Sequence, residues 1–379
     1  MMKLEDCRRE IDRINRRMLG DFVDRMRAAE GIAEYKKEMG LPVLDPARER
    51  DILAGVAESV PPELSGYARS FFASLMEVSR AYQSRLIADV GTMSREIREA
   101  IQKTPSDFPT TGKVACQGVE GAYSQIACDR FFGGERIVYF KSFDGVFSAV
   151  QSGLCDYGVL PIENSTHGSV SEVYDLMRKH RFHIVRSMKL KVDHALLAPK
   201  GATLSDIREI RSHSQALGQC SRFFDAHPEI RAVPAENTAV AAKEVASLGR
   251  RDTAVIASPS CARLYGLSPI DAEIQNNQSN FTRFICIARD TLVYPGARRI
   301  SLLLTLPHTP GSLHGVLSRF AVGGFNLMKL ESRPIEGSDF SFRFYLDFET
   351  PSTEAVFSLL DELEESALEV TLLGFYPEL

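Results

Sequence analysis

One long helical pattern at the start of the chain limits the fold more than any other feature. Apolar residues recur every three or four positions from Leu4 and Cys7 to Ala29 and Ile32, before the turn sequence GLP at residues 40–42. This spacing predicts one amphipathic helix of about 35 residues, roughly three times the usual length in globular proteins. A compact monomer with few other helices cannot cover such a helix, so we expect it to pack against a second copy of itself. The pattern therefore predicts a homodimer and leaves a tetramer open.

Two further helical segments complete the first part of the chain. Residues 45–60 predict a second helix that ends before Pro61 and Pro62, and residues 64–102 predict a third, long helix. Residues 103–112 (KTPSDFPTTG) have the composition of a linker. These features predict an all-helical domain over residues 1–102.

The character of the sequence changes after the linker, where short apolar runs alternate with helical segments. Strands are predicted at residues 113–117, 156–162, 194–198, 209–212, 231–235 and 253–257. Helices are predicted up to residue 132 and at residues 214–226 and 238–248. Alternation of this kind predicts an α/β domain over residues 113–290, built as one unit or as two subdomains around a cleft.

A second break at residues 290–299 precedes a different order of elements. The pattern over residues 299–379 predicts strand, helix, strand, strand, helix and strand, at 300–306, 311–323, 326–335, 340–349, 353–366 and 368–376. This is the split βαβ order of a ferredoxin-like α+β domain. The chain is therefore expected to hold three domains.

Composition excludes several functional classes. A net charge of −5 makes nucleic acid or an anionic membrane a poor partner. No apolar run approaches the roughly 18 residues of a membrane span, and the charged amino terminus does not resemble a signal peptide. The seven cysteines include no CxxC pair, which argues against disulfides and a structural zinc site and favours a cytoplasmic location. Without a P-loop or a GxGxxG motif, no cofactor is expected.

Charged and polar residues recur on matching faces of the predicted helices. Arg25 and Lys36 return to one face of the first helix about 16 Å apart, whereas Arg8 lies about 25 Å from Arg25 along the axis. An antiparallel dimer would bring Arg8 of one chain next to Lys36 of the other. The later helices add Asp45, Arg48, Glu49, Ser79 and Gln83. This set has no nucleophile–base pair, so it suits a reaction whose transition state only redistributes charge.

The register of these eight residues resembles the all-helical chorismate mutase domain of bacterial bifunctional P-proteins, over nearly all of residues 3–90. The resemblance implies an intertwined dimer that converts chorismate to prephenate. It implies that Arg25, Arg48 and the partner subunit's Arg8 hold the two carboxylates of chorismate, and that Ser79 assists one of them.

The same resemblance assigns the remaining four residues of this site. Lys36 and Gln83 would face the ether oxygen of chorismate, where negative charge builds up. Glu49, with Asp45 nearby, would bind the ring hydroxyl.

Polar segments at predicted strand ends characterise the α/β domain. They read GVEGAYS at 118–124, PIENSTHGSV at 161–170, SHSQALGQ at 212–219, ENT at 236–238 and NNQSNFTRF at 276–284. Polar strand ends of an open α/β sheet are where such folds bind ligands, so we expect a cleft for a small polar molecule. His167, His194 and His213 do not have the spacing of metal ligands.

These motifs resemble prephenate dehydratase over about residues 113–289, with Ser214 standing where the family commonly has Pro. The resemblance implies two subdomains like those of periplasmic binding proteins, and conversion of prephenate to phenylpyruvate. Thr282 is the expected catalytic hydroxyl, and Glu163 is the carboxyl group of these motifs that could serve as an acid. The expected substrate-binding residues are Glu163, Asn164, Ser165, Thr166, Gln215, Asn237, Thr238, Arg283 and Phe284. Two alternatives remain open, a dehydratase that prefers arogenate and a non-catalytic small-molecule sensor.

The last domain carries two segments that resemble the ACT domain of P-proteins. They are TPGSLHGVL at 309–317 and NLMKLESRP at 326–334. The resemblance implies feedback inhibition by L-phenylalanine, bound where the two segments meet across a subunit interface. Gly311, Ser312 and Leu313 are candidates for its carboxylate side, and Asn326 and Glu331 for its ammonium side. The motif residues Ser332, Arg333 and Pro334 complete the expected allosteric set.

Overall fold

The computed structural model describes residues 4–87, 91–134, 136–272, 274–309, 311–335 and 342–379. The chain divides into two compact units, Met1–Arg98 with Ile300–Leu372, and Glu99–Arg299 with Leu373–Leu379. The helical segment and most of the last segment therefore share one unit. None of the described helices combines the length and the apolar character needed to cross a membrane.

The helical segment opens with one uninterrupted helix, as its apolar spacing predicts. Its helices are α1 Leu4–Met39, α2 Pro46–Glu58, α3 Pro62–Ile87 and α4 Thr92–Lys103. In α1 only Ala29 and Ala33 are buried. The Asp45 side chain accepts a hydrogen bond from the backbone N–H of Arg48 and so caps α2, which has Pro46 in its first turn.

The third predicted helix, over residues 64–102, is wrong in one respect, because the structure has two helices there. Gly91 belongs to neither helix, and residues 88–90 lie outside the described residues. The backbone N–H of Gly91 donates to Asp361 Oδ1 at 3.1 Å, and that of Met93 donates to Glu364 Oε1 at 3.1 Å. Carboxylates distant in sequence thus satisfy the free N–H groups at the start of α4, which local spacing cannot predict.

The α/β segment contains two sheets and therefore two subdomains. The elements are β1 Val114–Gln117, α5 Tyr123–Phe132, β2 Ile137–Phe140, α6 Phe143–Gln151, β3 Tyr157–Asn164, β4 Gly168–Ser169, α7 Ser171–Lys179, β5 His183–Lys191, β6 Ala195–Ala198, β7 Glu209–His213, α8 Ser214–Gln219, α9 Ser221–Ala226, β8 Arg231–Ala235, α10 Thr238–Leu248, β9 Thr253–Ala257, α11 Ser260–Tyr265, β10 Ser268–Asp271 and β11 Phe281–Ala288. The first sheet has the order β2-β1-β3-β11-β5, with β4 paired to β3, and the second has the order β10-β6-β9-β7-β8. The helix predicted at 214–226 is two short helices that meet at Cys220.

The strand β11 returns the chain from the second subdomain to the first, which the sequence pattern did not predict. It follows the last strand of the second sheet but lies in the first, antiparallel to both β3 and β5. Its pairing with β3 sets Thr282 opposite Asn164. The return of the chain to the first sheet therefore brings two distant polar segments together at one sheet end.

The last segment has the element order predicted for it. Its elements are β12 Arg299–Thr305, α12 Ser312–Val322, β13 Asn326–Pro334, β14 Phe342–Glu349, α13 Thr353–Ser366 and β15 Glu369–Tyr376. The sheet order is β13-β14-β12-β15, so β13 is an edge strand. Residues 340–341, where the second of the paired strands was predicted to begin, lie outside the described residues. Both α12 and α13 contact α3.

Candidate functional site

A cavity of about 340 Å³ lies among α1, α2 and α3. Seven of the eight residues predicted for the helical site line it, namely Arg25, Lys36, Asp45, Arg48, Glu49, Ser79 and Gln83. On α1 the lining residues Arg25, Ala29, Ile32 and Lys36 recur at the spacing of one helix face. Helical periodicity therefore brings these side chains together.

Two of the polar residues in this cavity also stabilise its walls. The Lys36 ammonium donates to the carbonyl of Val43 at 2.5 Å and so ties α1 to the loop before α2. Asp45 Oδ1 accepts from the backbone N–H of Arg48 at 3.0 Å. Asp45 therefore orients the first turn of α2, which carries Arg48 and Glu49.

Two polar atoms in the cavity are buried, and no described residue gives them a hydrogen-bond partner. They are Arg25 Nη1 and Gln83 Oε1. Gln83 is 8% exposed, and its amide nitrogen makes a 3.5 Å contact with Ser79 Oγ. Burial lowers the pKa of Arg25 from its usual value. Since buried polar groups in proteins are nearly always paired, these atoms are available to a ligand.

The sequence analysis missed Arg80, which also lines the cavity. Its guanidinium forms ion pairs with Glu49 and with Glu77. Burial would lower the pKa of Arg80, but the two carboxylates outweigh it and keep the pKa above its usual value. An arginine on a charged helix is usually solvated, so only its i, i+3 spacing from Glu77 hinted at this role.

Arg8 does not line this cavity and is exposed on α1. Because α1 is continuous through both positions, Arg8 and Arg25 remain about 25 Å apart along the helix. Large apolar side chains of α1 are exposed around it, including Leu4 at 64%, Ile11 at 55% and Leu19 at 63%. Such a surface is typical of a helix that has a partner.

In the α/β unit, Asn164 at the end of β3 connects the predicted polar segments. Its amide donates to Asn280 Oδ1 at 2.8 Å and to Thr282 Oγ1 at 3.0 Å. Its oxygen accepts from the backbone N–H groups of Thr166 and His167, each at 3.0 Å. Asn164 therefore holds the turn after β3 against the start of β11.

A cavity of about 160 Å³ adjoins this network and is lined from both subdomains. Its polar lining consists of Thr166, His167, Gln219, Gln275, Asn276, Asn277 and Asn280. Of the predicted substrate-binding residues only Thr166 lines it directly. Gln219, Asn276, Asn277 and Asn280 lie inside the polar motifs of the sequence, which is the signal that could have identified them.

Histidine and glutamine side chains cross this cleft. Gln219 contacts His167 Nδ1 at 3.1 Å through its amide nitrogen and His194 Nε2 at 2.7 Å through its oxygen. Burial lowers the pKa of His194, although Gln219 and Asp193 partly oppose this effect. The lowered pKa favours the uncharged His194 ring near pH 7, in which Nε2–H donates to the Gln219 oxygen.

Several predicted residues lie elsewhere. Gln215 is exposed on α8, and the Asn237 side chain caps α10 by accepting from Val240 N at 2.8 Å, next to Thr238. Ser165 closes the β3 turn, since its hydroxyl donates to Ser279 O at 3.1 Å and accepts from Phe281 N at 2.9 Å.

The structure corrects the substrate contact predicted for Phe284 and places Arg283 in an ion pair. Phe284 is 2% exposed and belongs to the apolar core of the first subdomain. Arg283, at 5% exposed, donates to the Tyr376 hydroxyl at 2.7 Å, and its Nε lies 3.5 Å from Glu378. Alternate side chains of a strand point to opposite faces, so Arg283 points away from the face of Thr282. Glu163 pairs in register with Arg283.

The predicted allosteric residues occupy two places in the last segment. Ser312 and Leu313 line a cavity of about 350 Å³ together with Phe342 and Phe344, and Gly311 precedes them with a left-handed φ of 92°. Glu331, Ser332, Arg333 and Pro334 lie on the edge strand β13, where Glu331 pairs with Arg333 at 2.8 Å. Asn326 begins the same strand and donates to Met328 Sδ at 3.1 Å. Within one chain the strand β14 lies between β13, which carries the second group, and β12, which leads to Gly311, Ser312 and Leu313.

Two families of known proteins match the chain in the order of these sites. The model of chorismate mutase type II matches residues 7–84, and the model of prephenate dehydratase matches residues 114–292. Arogenate dehydratase/prephenate dehydratase 2 of Arabidopsis thaliana, a chloroplastic protein, is 36% identical over 315 residues, covering 80% of this chain and 81% of that protein.

A bacterial relative and a solved structure extend the comparison. The bifunctional chorismate mutase/prephenate dehydratase of Escherichia coli K12 is 28% identical over 377 residues, covering 98% of this chain and 95% of the relative. The structure of prephenate dehydratase from Arthrobacter aurescens in complex with L-Phe has a TM-score of 0.64 at 28% identity, covering 70% of this chain and 89% of that one. With a mutase domain followed by a dehydratase domain, the chain belongs to the family of bifunctional chorismate mutase/prephenate dehydratases, the P-proteins.

Proposed function

We propose that the cavity among α1, α2 and α3 is the chorismate site of this bifunctional enzyme, and that the cleft around Asn164 and Thr282 is its prephenate site. The observation that supports the first assignment is the pair of buried atoms without protein partners, Arg25 Nη1 and Gln83 Oε1. A buried polar group is costly unless a ligand pairs with it. Chorismate carries two carboxylates, an ether oxygen and a hydroxyl, which match the cations, the carboxylates and the Gln83 amide of this cavity.

The first reaction breaks one carbon–oxygen bond and forms one carbon–carbon bond within a single molecule. Arg25 and Arg48, with the partner subunit's Arg8, bind the carboxylates, and Ser79 assists one of them. These contacts hold the two reacting carbons close together, which lowers the entropic part of the barrier.

The remaining mutase residues act on the charge that develops in the transition state. Lys36 and the amide N–H of Gln83 donate to the ether oxygen as its bond lengthens, with the Gln83 amide turned so that its nitrogen rather than Oε1 faces that oxygen. Glu49, in the first turn of α2 that Asp45 caps, accepts a hydrogen bond from the ring hydroxyl of chorismate. No residue has to gain or lose a proton.

The second reaction removes CO₂ and hydroxide from prephenate and leaves an aromatic ring. Thr282 Oγ1 accepts a hydrogen bond from Asn164, so its own O–H can donate a hydrogen bond to the leaving hydroxyl, which departs as hydroxide while the ring carboxylate is lost as CO₂. Asn164, Ser165 and Thr166 position the substrate around it. Glu163, next to Asn164 at the end of β3, is the carboxyl group of this segment that we keep as the candidate acid.

Arogenate, the amino analogue of prephenate, is a second candidate substrate for the same cleft. The name of the Arabidopsis relative includes both activities, which supports this alternative. A single contact in the cleft can decide between the two substrates. The ratio of kcat/KM for prephenate and arogenate measures the preference directly.

We also propose that L-phenylalanine binds the ACT domain formed by residues 299–379 and inhibits the enzyme. The cavity beside Ser312 and Leu313 contains two aromatic rings, Phe342 and Phe344, which suit an aromatic side chain. Since β13 is an edge strand, Asn326 and Glu331 can reach the same ligand from a second subunit. The Arthrobacter relative was solved with L-Phe, which supports this choice of effector.

A homodimer in the cytoplasm is the state in which we propose that the enzyme works. The exposed apolar side chains of α1 support a dimer, and the dimer supplies the partner subunit's Arg8 to the mutase site. All seven cysteines are free, as expected in a reducing compartment.

One experiment on the full-length chain tests these assignments. Gln83→Ala should lower mutase kcat/KM at least about 100-fold, or about 2.7 kcal/mol, and leave dehydratase activity within about twofold. Thr282→Ala should do the reverse. Millimolar L-phenylalanine should lower the activity of the unaltered chain and raise its thermal midpoint.

Matched controls make the result specific. Gln102→Ala changes an exposed glutamine of α4, and Thr282→Ser keeps the hydroxyl, so both should retain most activity. Loss of both activities in either single variant would show that folding, rather than the assigned site, was affected. Equal mutase rates for Gln83→Ala and the parent would contradict the chorismate site.

A further inference from the structure

A row of five charged side chains leads from the mutase cavity to the last segment of the chain. Glu49 of α2 pairs with Arg80 of α3, and Arg80 pairs with Glu77 one turn earlier on α3. Glu77 Oε1 lies 3.0 Å from Arg319 Nη1 of α12, and Arg319 Nε lies 3.7 Å from Glu362 Oε2 of α13. We call this row the charge ladder.

The ladder is largely shielded from solvent. The exposed side-chain fractions are 25% for Glu49, 18% for Arg80, 9% for Glu77 and 8% for Arg319. Surface ion pairs contribute little, but removal of one partner from a buried pair leaves an uncompensated charge. Each member of the ladder is therefore held in place by the next.

The packing of α12 fixes the far end of the ladder. Arg319 Nη1 donates to the carbonyl of Gly315 at 3.0 Å, one turn earlier on the same helix. At Gly315 itself, a Cβ atom would lie 2.9 Å from Glu77 Oε1, so the backbone of α12 rests directly against that carboxylate. Glu77 therefore cannot move closer to α12 without displacing that helix.

We propose that Arg319 of the last domain, through Glu77 and Arg80, positions the Glu49 carboxylate for the ring hydroxyl of chorismate. Arg80, Glu77 and Arg319 are then positioning residues of the mutase, and the regulatory domain is a working part of that active site. The inference rests on the proposed function, because it assumes that Glu49 binds chorismate.

The arrangement has a consequence for regulation. The helix that carries Arg319 begins at Ser312, beside the cavity proposed for phenylalanine. A ligand that favours a different position of α12 changes the ladder and so the position of Glu49. Mutase inhibition by phenylalanine should therefore require Arg319.

Mutase and dehydratase kinetics of full-length variants test the inference. Arg80→Met should lower mutase kcat/KM about 30-fold and Arg319→Met about 10-fold, with dehydratase kcat/KM within about twofold of the parent. Arg319→Lys should recover part of the loss, because an ammonium can still pair with Glu77. If Arg319→Met proves unstable, Glu77→Gln replaces it in the test. This variant keeps the shape of the side chain but removes its charge, so it should lower mutase kcat/KM.

A double-mutant cycle separates positioning from general loosening. Once Glu49→Gln has removed the carboxylate, adding Arg319→Met should change mutase kcat/KM less than about twofold. A merely structural role for Arg319 would give independent, multiplicative losses and would overturn the inference.

The matched control removes another contact between the same parts of the chain. Arg98 pairs with Glu354 of α13 at 3.3 Å, outside the ladder, so Arg98→Met should leave mutase kinetics unchanged. If Arg98→Met and Arg319→Met are equally impaired, the inference is wrong. If Glu49→Gln is fully active, the proposed role of Glu49 fails first; if only Arg319→Met is fully active, the ladder inference fails and the proposed function stands.

Discussion

In the helical cavity the functional side chains come from regular positions on three helices, whereas in the dehydratase cleft they come from strand ends and the turns that follow them. Arg25 and Lys36 share a face because α1 is continuous from Leu4 to Met39. Asn164 and Thr282 meet because two antiparallel strands, far apart in sequence, pair in one register. The first site is set by local periodicity and the second by long-range pairing.

The two sites also differ in how their polar groups are satisfied. Arg25 Nη1 and Gln83 Oε1 have no partners among the described residues. In the cleft, the amide of Asn164 already bonds to Asn280 and Thr282. We infer that chorismate fills open hydrogen-bonding positions in a prepared site, whereas prephenate enters a network most of whose members already bond to each other, with His194 Nδ1 as an exception.

The largest expected effect tests whether the mutase site is shared between subunits. Arg8→Ala and Arg25→Ala should each lower mutase kcat/KM about 1000-fold, since each removes a cation that binds a carboxylate of chorismate. Mixing the two variants at equal amounts under conditions that exchange subunits should restore about a quarter of the parental sites, by symmetry of the dimer. Mutase assays on the mixture measure this recovery, and the dehydratase activity of the same mixture is the internal control.

No recovery on mixing, with exchange verified by a tag on one variant, would mean that Arg8 and Arg25 act within one chain. That result would remove the contrast between a shared helical site and a cleft contained in one chain.

A smaller effect is expected at the centre of the cleft network. Asn164→Asp replaces the amide that donates to Thr282 and Asn280 with a carboxylate that cannot donate. We expect dehydratase kcat to fall about 100-fold, because Thr282 loses its orientation, with mutase activity unchanged. Steady-state assays of both reactions measure the effect, and a similar loss in both would instead indicate misfolding.

The smallest effect concerns pH and the neutral His194. Burial lowers the pKa of this residue in the folded chain, so below the ordinary histidine pKa of about 6.5 the unfolded chain takes up the proton first. The free energy of unfolding of the α/β unit should therefore fall as pH decreases through this range. Urea midpoints at several pH values measure the slope.

His194→Gln should have a weaker pH dependence than the parent. Burial also lowers the pKa of His183, so part of the slope should persist in this variant. An unchanged slope would show that His194 is not held neutral in the cleft.

The sequence predicted more of the helical site than of the cleft, for a physical reason. Seven of its eight residues line one cavity, because side chains three, four, seven or eleven positions apart on a helix share a face whatever the helix packs against. The cleft motifs were recognised, but Phe284 proved to be a core residue and Arg283 an ion-pair residue. Their roles depend on which face of β11 meets Tyr376 and Glu378, and sequence order alone does not reveal this.

By itself the sequence determined the long first helix, the order of domains and the chemical character of both sites. Only the tertiary structure decided that a new helix begins at Thr92, how β11 returns to the first sheet, and that Arg80 and Glu77 connect Glu49 to Arg319 of α12. Periodicity and motifs depend on residues a few positions apart, so the sequence alone shows them. Capping by a distant carboxylate, strand register and buried ion pairs depend on residues tens to hundreds of positions apart, which only the packed structure brings together.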